Sequence, residues 1–287
     1  MIKKIEPFKT LLFGFAFSPN LKANIAETSR LATFFTAKLI LIHVGSKTDD
    51  KETQLNFILN ELSVDRTTIE IVWKEGNPVD VILEACKSFN INLLVLGAQQ
   101  HENVLQFYVG SIARKLTRKV CCSVMLLIKP ALERVTCKHV VVNGLDAPDT
   151  PLAITAAFYV ANCLGVQKVT IVEEIQQKEI HVTVEDDRSL KKANIVKARL
   201  RERENHRVRS IISKLPANLT EDITIKMQSI FGKRGYSIGH YAEVVRADLL
   251  VMNSPEKTTI FDRIFPHDIE HILSDLPTDL LIIRNRV

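Results

Sequence analysis

One succession of apolar runs and amphipathic stretches appears twice in this 287-residue sequence, and that repeat limits the fold more than anything else in it. In the first half the apolar runs are residues 10–17, 38–44 (KLILIHV), 69–73, 93–96 and 124–128 (VMLLI). The stretches between them carry apolar residues at helical spacing: a first helix after Ser18-Pro19-Asn20, with Ile25, Leu31 and Phe34 or Phe35 inward, then 47–65, 78–89 and 112–119. In the second half 139–143 (HVVVN), 169–173, 223–227, 249–253 and 279–283 (DLLII) restart the series, with helices expected over 151–164 and 188–215. ADLLVMNSP in the second half stands where NLLVLGAQ stands in the first, and Gly232 repeats the turn at Gly76. A repeat of about half the chain means two copies of one unit, expected as domains 1–133 and 134–287 about a linker at 130–138.

Runs that are apolar throughout, rather than alternating, belong to strands covered on both faces. Strands alternating with helices at this pitch make a parallel sheet with right-handed crossovers. Each copy is therefore expected to be α/β, a five-stranded parallel sheet with helices on both faces. At its N-terminal edge, Ser18 stands before the first helix as an expected cap.

Composition narrows the function. Hydrophobic residues at 46% and charged residues at 25% are those of a soluble globular protein. No apolar run has the length of a membrane span, and MIKKIEPFKT lacks a signal peptide's apolar core, so a cytoplasmic protein without membrane contact is expected. Five cysteines, neither even in number nor at metal-ligand spacing, read as reduced thiols. The net charge of +5 is spread along the chain. Its most basic run, residues 191–209, contains Glu202 and Glu204 and no aromatic residue for stacking on bases, which argues for a solvated helix face and against nucleic acid.

The stretch with most chemical promise is GAQQHENVLQFYVGS, residues 97–111, between the fourth apolar run and the helical SIARKLTRKV. Gly97 can adopt positive φ and admit a ligand close to the backbone. Gly110 and Ser111 open a helix, where free N–H groups and the helix dipole suit a phosphate. Two glycines also serve as turn punctuation, and the spacing alone leaves both readings open. Ligands of such sheets bind beyond the carboxyl ends of the strands, and the first strand leaves at Ala16 as the fourth leaves at Gly97.

These residues resemble the universal stress protein family, whose pattern G-x2-G-x9-G-S/T meets Gly97, Gln100 in place of the second glycine, Gly110 and Ser111. Residues 75–99 (EGNPVDVILEACKSFNINLLVLGAQ) and 15–32 (FAFSPNLKANIAETSRLA) extend the resemblance over most of the first half. It implies a tandem member with two Rossmann-like domains, of the kind also seen in adenine-nucleotide alpha-hydrolases. It also implies a nucleotide site of Ala16, Ser18, Val44, Gly97, Gln100, Gly110 and Ser111 for ATP or AMP, with no metal beyond a phosphate-bound Mg. Ala16 stands where the family's strand-one aspartate contacts the adenine side; losing such a buried acceptor costs on the order of 1.5–3 kcal/mol, so binding should be weak. In the second copy Asn253, Glu256 and Pro266-His267 replace the motif, and the proline removes a donor where a phosphate needs one, so binding is confined to the first domain.

The family resemblance implies a stress-response scaffold acting through protein partners. Two alternatives are a pair of non-binding domains serving as an interaction module and a weak ATP hydrolase. No nucleophile with a base and an orienting acid stands out, so the chain is not expected to be an enzyme. His43 and His101 are lone histidines expected to be structural or exposed. His267 and His271, with Asp268, lack a third ligand for zinc. The two last strands, VMLLI and DLLII, are expected to pair within one chain as a pseudo-dimer, leaving room for a further homodimer, since exposed apolar edges need cover.

Overall fold

The computed structural model describes residues 8–100, 107–233, 235–254 and 267–285. The chain divides into two compact units, one built on Cys137–Ile272 and the other on Glu6–Thr136 with Leu273–Val287.

In the unit of the first repeat, β1 (Thr10–Phe15), β2 (Lys38–Val44), β3 (Ile69–Lys74), β4 (Leu93–Gly97) and β7 (Ser123–Leu127) lie in the order β3-β2-β1-β4-β7. All four contacts between them are parallel, with Phe13 opposite both Leu41 and Val95. Leu11, Leu41, Leu94 and Leu126 have no exposed surface, as expected of strands sandwiched between helix layers. The helices are α1 (Leu21–Phe34), α2 (Asp49–Glu61), α3 (Pro78–Ser88) and α4 (Ser111–Lys119).

Local chemistry sets their ends. At α3, Gly76 takes φ +135°, and the Asn77 side chain accepts from the N–H groups of Val79 and Asp80 at 3.0 and 3.4 Å. Pro78 fills the first turn, where its missing N–H costs nothing. α2 stops short of residue 65 because Ser63 takes a left-handed φ of 49° and Asp65 caps a separate 3-10 turn, Arg66–Thr68. Ser18 does not cap α1: its carbonyl, not its hydroxyl, receives the Leu21 N–H at 3.0 Å, and Asn20 holds the cap position. Residues 97–111 hold an antiparallel pair, β5 (Gln99–Gln100) with β6 (Phe107–Tyr108), where the sequence suggests only a loop.

In the other unit β8 (His139–Asn143), β9 (Lys168–Gln176), β10 (Thr224–Gly232) and β11 (Leu249–Asn253) run parallel in the order β10-β9-β8-β11. Its helices are α5 (Thr150–Leu164), α6 (Asp187–Ile212) and α7 (Tyr236–Val244). The sequence gives little sign of α7, which buries only Ile238 and Ala242. α8 (His267–Ser274) precedes β12 (Asp279–Ile283), which pairs antiparallel with β7, Leu281 opposite Met125. Asp279 also accepts the Ile128 N–H at 2.8 Å, closing the end of that ladder. No disulfide joins the five cysteines, and no helix among the described residues is long and apolar enough to cross a membrane.

The cap at α3 gives a direct test of these local rules. Asn77→Ala should lower the stability of the first unit by about 1 kcal/mol, while Ser18→Ala should change it by less than about 0.5 kcal/mol. Urea denaturation of the two variants checks both figures.

Candidate functional site

At the carboxyl ends of β1, β2 and β4, against the start of α4, the first unit contains a cavity of about 400 Å³. Ala16, Ser18, Val44, Gly97, Gly110 and Ser111 all line it. Gln100 contributes its backbone to β5 opposite Phe107, while its side chain and all of His101 lie outside the described residues.

Each lining residue is placed by the strand or helix it ends. β1 finishes at Phe15, and Ala16 begins a tight turn in which its carbonyl accepts the Ser18 N–H at 2.8 Å. Gly110 holds the cap position of α4 with φ −59° and ψ 162°, and its carbonyl accepts the Arg114 N–H at 2.9 Å. Ser111, Ile112 and Ala113, the first turn of α4, border the cavity, so their N–H groups and the positive end of the helix dipole lie beside it. Arg118 and Lys119 complement the opposite end of the helix.

Gly97 acts through space rather than through backbone angle. It is not among the residues with positive φ, in contrast to the sequence-based expectation. A Cβ there would instead lie 3.2 Å from Oδ1 of Asn24, tighter than ordinary contact. Asn24 is a site residue that motif reading passes over. It is 8% exposed, its Nδ2 donates to the Asn20 carbonyl at 3.0 Å, and its Oδ1 finds no partner among the described residues. The available signal is a polar residue between Leu21 and Ile25 on the buried face of an amphipathic helix.

The wall beyond Ala16 is aromatic. Phe15 and His43 line the cavity, and behind them Phe17 stacks on Trp73 with ring centroids 6.2 Å apart. His43 is buried, donates from Nδ1 to the Phe15 carbonyl at 3.1 Å and lies 3.5 Å through Nε2 from the Lys51 ammonium. Nδ1 thus ties the end of β2 to that of β1, and Nε2 faces Lys51 on α2. The cavity offers backbone N–H groups for an anion at one end and apolar and aromatic surface at the other.

The second unit handles the same position differently. The paired registers Thr10↔Lys38 and His139↔Lys168 place Leu145 at the Ala16 position and Glu174 at the Val44 position. Asn253, in the Gly97 position, donates from Nδ2 to Thr150 Oγ1 at 2.8 Å, and Thr150 in turn donates to the Leu145 carbonyl. These side chains tie the exit of β11 to the start of α5. Glu256 and Pro266 lie outside the described residues, as do the side chains of His267 and Asp268. His271 Nε2 is 3.3 Å from the Lys233 ammonium. Among the described residues no group of three or more His, Cys, Asp or Glu is arranged to hold a metal ion.

Comparison with known proteins agrees with this geometry. Residues 58–127 match the model of the Universal stress protein family, a segment running from α2 through β7 and including the glycine motif. A search of curated proteins finds no match. Among solved structures, a functionally unknown protein from Pseudomonas aeruginosa PAO1 superposes with a TM-score of 0.73 at 13% identity, covering 97% of this chain and 93% of that one. A universal stress protein from Archaeoglobus fulgidus DSM 4304 gives 0.66 at 14% identity, covering 97% and 99%. A universal stress protein in complex with cAMP covers 43% of this chain and 98% of its own, at 20% identity and a TM-score of 0.37. The segment matched to that family, residues 58–127, lies within an α/β layer structure and carries the glycine motif at the strand ends. Over nearly its whole length the chain has the fold of the Archaeoglobus protein.

The contact between Gly97 and Asn24 can be measured. Gly97→Ala should cost about 1 kcal/mol, and the cost should fall by at least about 0.5 kcal/mol when Asn24 is also changed to Ala. A double-mutant cycle by denaturation gives that coupling.

Proposed function

We propose that the chain is a cytoplasmic stress-response protein whose first repeat binds ATP or AMP weakly and which acts through protein partners rather than by catalysis. The observation that carries this reading is the single cavity that unites Gly97, Gly110, Ser111 and the start of α4 with Ala16 and Val44. The phosphates lie at the α4 N-terminus, where backbone N–H groups and the dipole favour negative charge. The base lies toward Ala16, Val44 and the Phe15 ring, a surface that supplies contact area but no carboxylate. A phosphate-bound Mg needs no protein carboxylate in this arrangement. The second repeat takes no nucleotide, because the Asn253–Thr150–Leu145 link crosses the equivalent position.

Weak affinity follows from Ala16, and restoring the acceptor tests it. Ala16→Asp should raise ATP affinity by about tenfold, equivalent to about 1.4 kcal/mol. Gly110→Asp should abolish binding through charge repulsion and loss of close approach, while the helix keeps a favourable cap residue and the protein stays folded. Calorimetry with ATP, AMP and cAMP on the full chain reads both effects. Undiminished binding by Gly110→Asp would remove the phosphate from the α4 terminus.

A further inference from the structure

The mouth of the second repeat has exchanged one chemistry for another. Beyond β8 and β9 it holds a cavity of about 130 Å³, bordered by Asp146, Glu173, Glu174, Glu179 and Glu204 against only two cations, Arg203 and Arg207. The fate of each charge can be followed.

Glu174 is 5% exposed and is met by the N–H groups of Gly235 at 3.1 Å and Ile238 at 2.9 Å, at the start of α7. Glu204, also 5% exposed, receives Arg203 Nε at 2.8 Å on one oxygen and Arg207 Nε at 2.9 Å on the other. Arg203 reaches further to Glu179 at 3.2 Å. Arg207 donates to the Gly144 carbonyl and lies 3.7 Å from Asp146. Both guanidinium groups are therefore committed to other acceptors.

Glu173 is the remainder. It is 1% exposed, one carboxyl oxygen accepts from Ser229 Oγ at 2.7 Å, and the other, Oε1, has no partner among the described residues. Burial pushes its carboxyl above the ordinary range; Glu204 adds to that, while Ser229 and Arg207 pull the other way. A buried carboxylate with an unmet oxygen is costly unless a donor or a positive charge reaches it.

We propose that the second repeat binds a compact cation bearing N–H donors, an ammonium or guanidinium head group, with Glu173 Oε1 as its principal acceptor. The excess of carboxylates over arginines supplies the attracting field and repels phosphate. The volume suits a head group of a few heavy atoms, against the roughly threefold larger cavity of the first repeat. A metal ion fits poorly, since both oxygens of Glu204 face arginine and no cluster of three ligands is present among the described residues. Entry is open on one side, where Asp146 and Arg203 keep 73% and 60% of their side-chain surface exposed. The first repeat thus selects an anion at the start of α4, and the second a cation beyond the ends of β8 and β9.

The test is titration of the full chain with ethylammonium and methylguanidinium, read by calorimetry and by chemical shifts, with tetramethylammonium and Mg²⁺ as controls. Saturable binding of one or both N–H cations is expected, with neither control competing; preference between the two probes identifies the head group. Glu173→Gln should weaken binding at least about tenfold. Gly110→Asp, in the other cavity, should leave it unchanged. Lowering the pH should weaken binding, because a proton on Glu173 competes with the cation. If Glu173→Gln fails to fold, the wild-type protein still decides: cation binding at mildly acid pH must release a proton, visible as a buffer-dependent heat. Absence of saturation, equal binding by tetramethylammonium, tighter binding by Mg²⁺ than by either amine, or unaltered affinity in a folded Glu173→Gln would each overturn the assignment.

Discussion

Everything functional here depends on what happens to backbone hydrogen bonds where parallel strands end. Inside the sheet each strand finds partners on both sides, so the apolar interior of β1, β2 and β4 offers nothing to a ligand. One residue past the last pair the ladder stops, and chain direction must change. Past Phe15 and Gly97, the last paired residues of β1 and β4, the polypeptide turns outward, and the first turn of α4 adds N–H groups that its own helix cannot use. The site is a by-product of the fold's own termini.

How those ends are closed separates the two repeats. In the first, Gly97 leaves space that a Cβ would begin to close, and Asn24 shows an acceptor beside it. In the second, the equivalent space is crossed by the side chain of Asn253 bonded to Thr150, and acidic residues stand at the end of β9. Small residues and side-chain bridges, rather than any change in strand order, distinguish the two mouths.

Much of this was legible in residue order. Strand positions followed from unbroken apolar runs such as KLILIHV, because burial on both faces removes the alternation that would otherwise blur the signal. Residues 123–127 and 279–283 pair antiparallel within one compact unit. The glycine motif located the cavity, since Gly97, Gly110 and Ser111 meet there with Ala16, Ser18 and Val44. What escaped depends on contacts distant in sequence or on weak local patterns. α7 has too few buried positions to show periodicity, Ser18 looks like a cap until Asn20 is seen to occupy that place, and Asn24 matters only because α1 lies against β4. Glu173 and Glu204 are separated by a long stretch of chain, so their shared burial leaves no local trace.

The carboxylate of Glu174 at the head of α7 has one more consequence. In the first repeat the corresponding helix start, at α3, is closed by the neutral amide of Asn77, and the positive end of α4 faces an open cavity. The second repeat carries a carboxyl group of its own chain lodged against a helix terminus. A helix start closed in this way has two of its N–H groups already engaged by its own chain and offers neither to a bound anion.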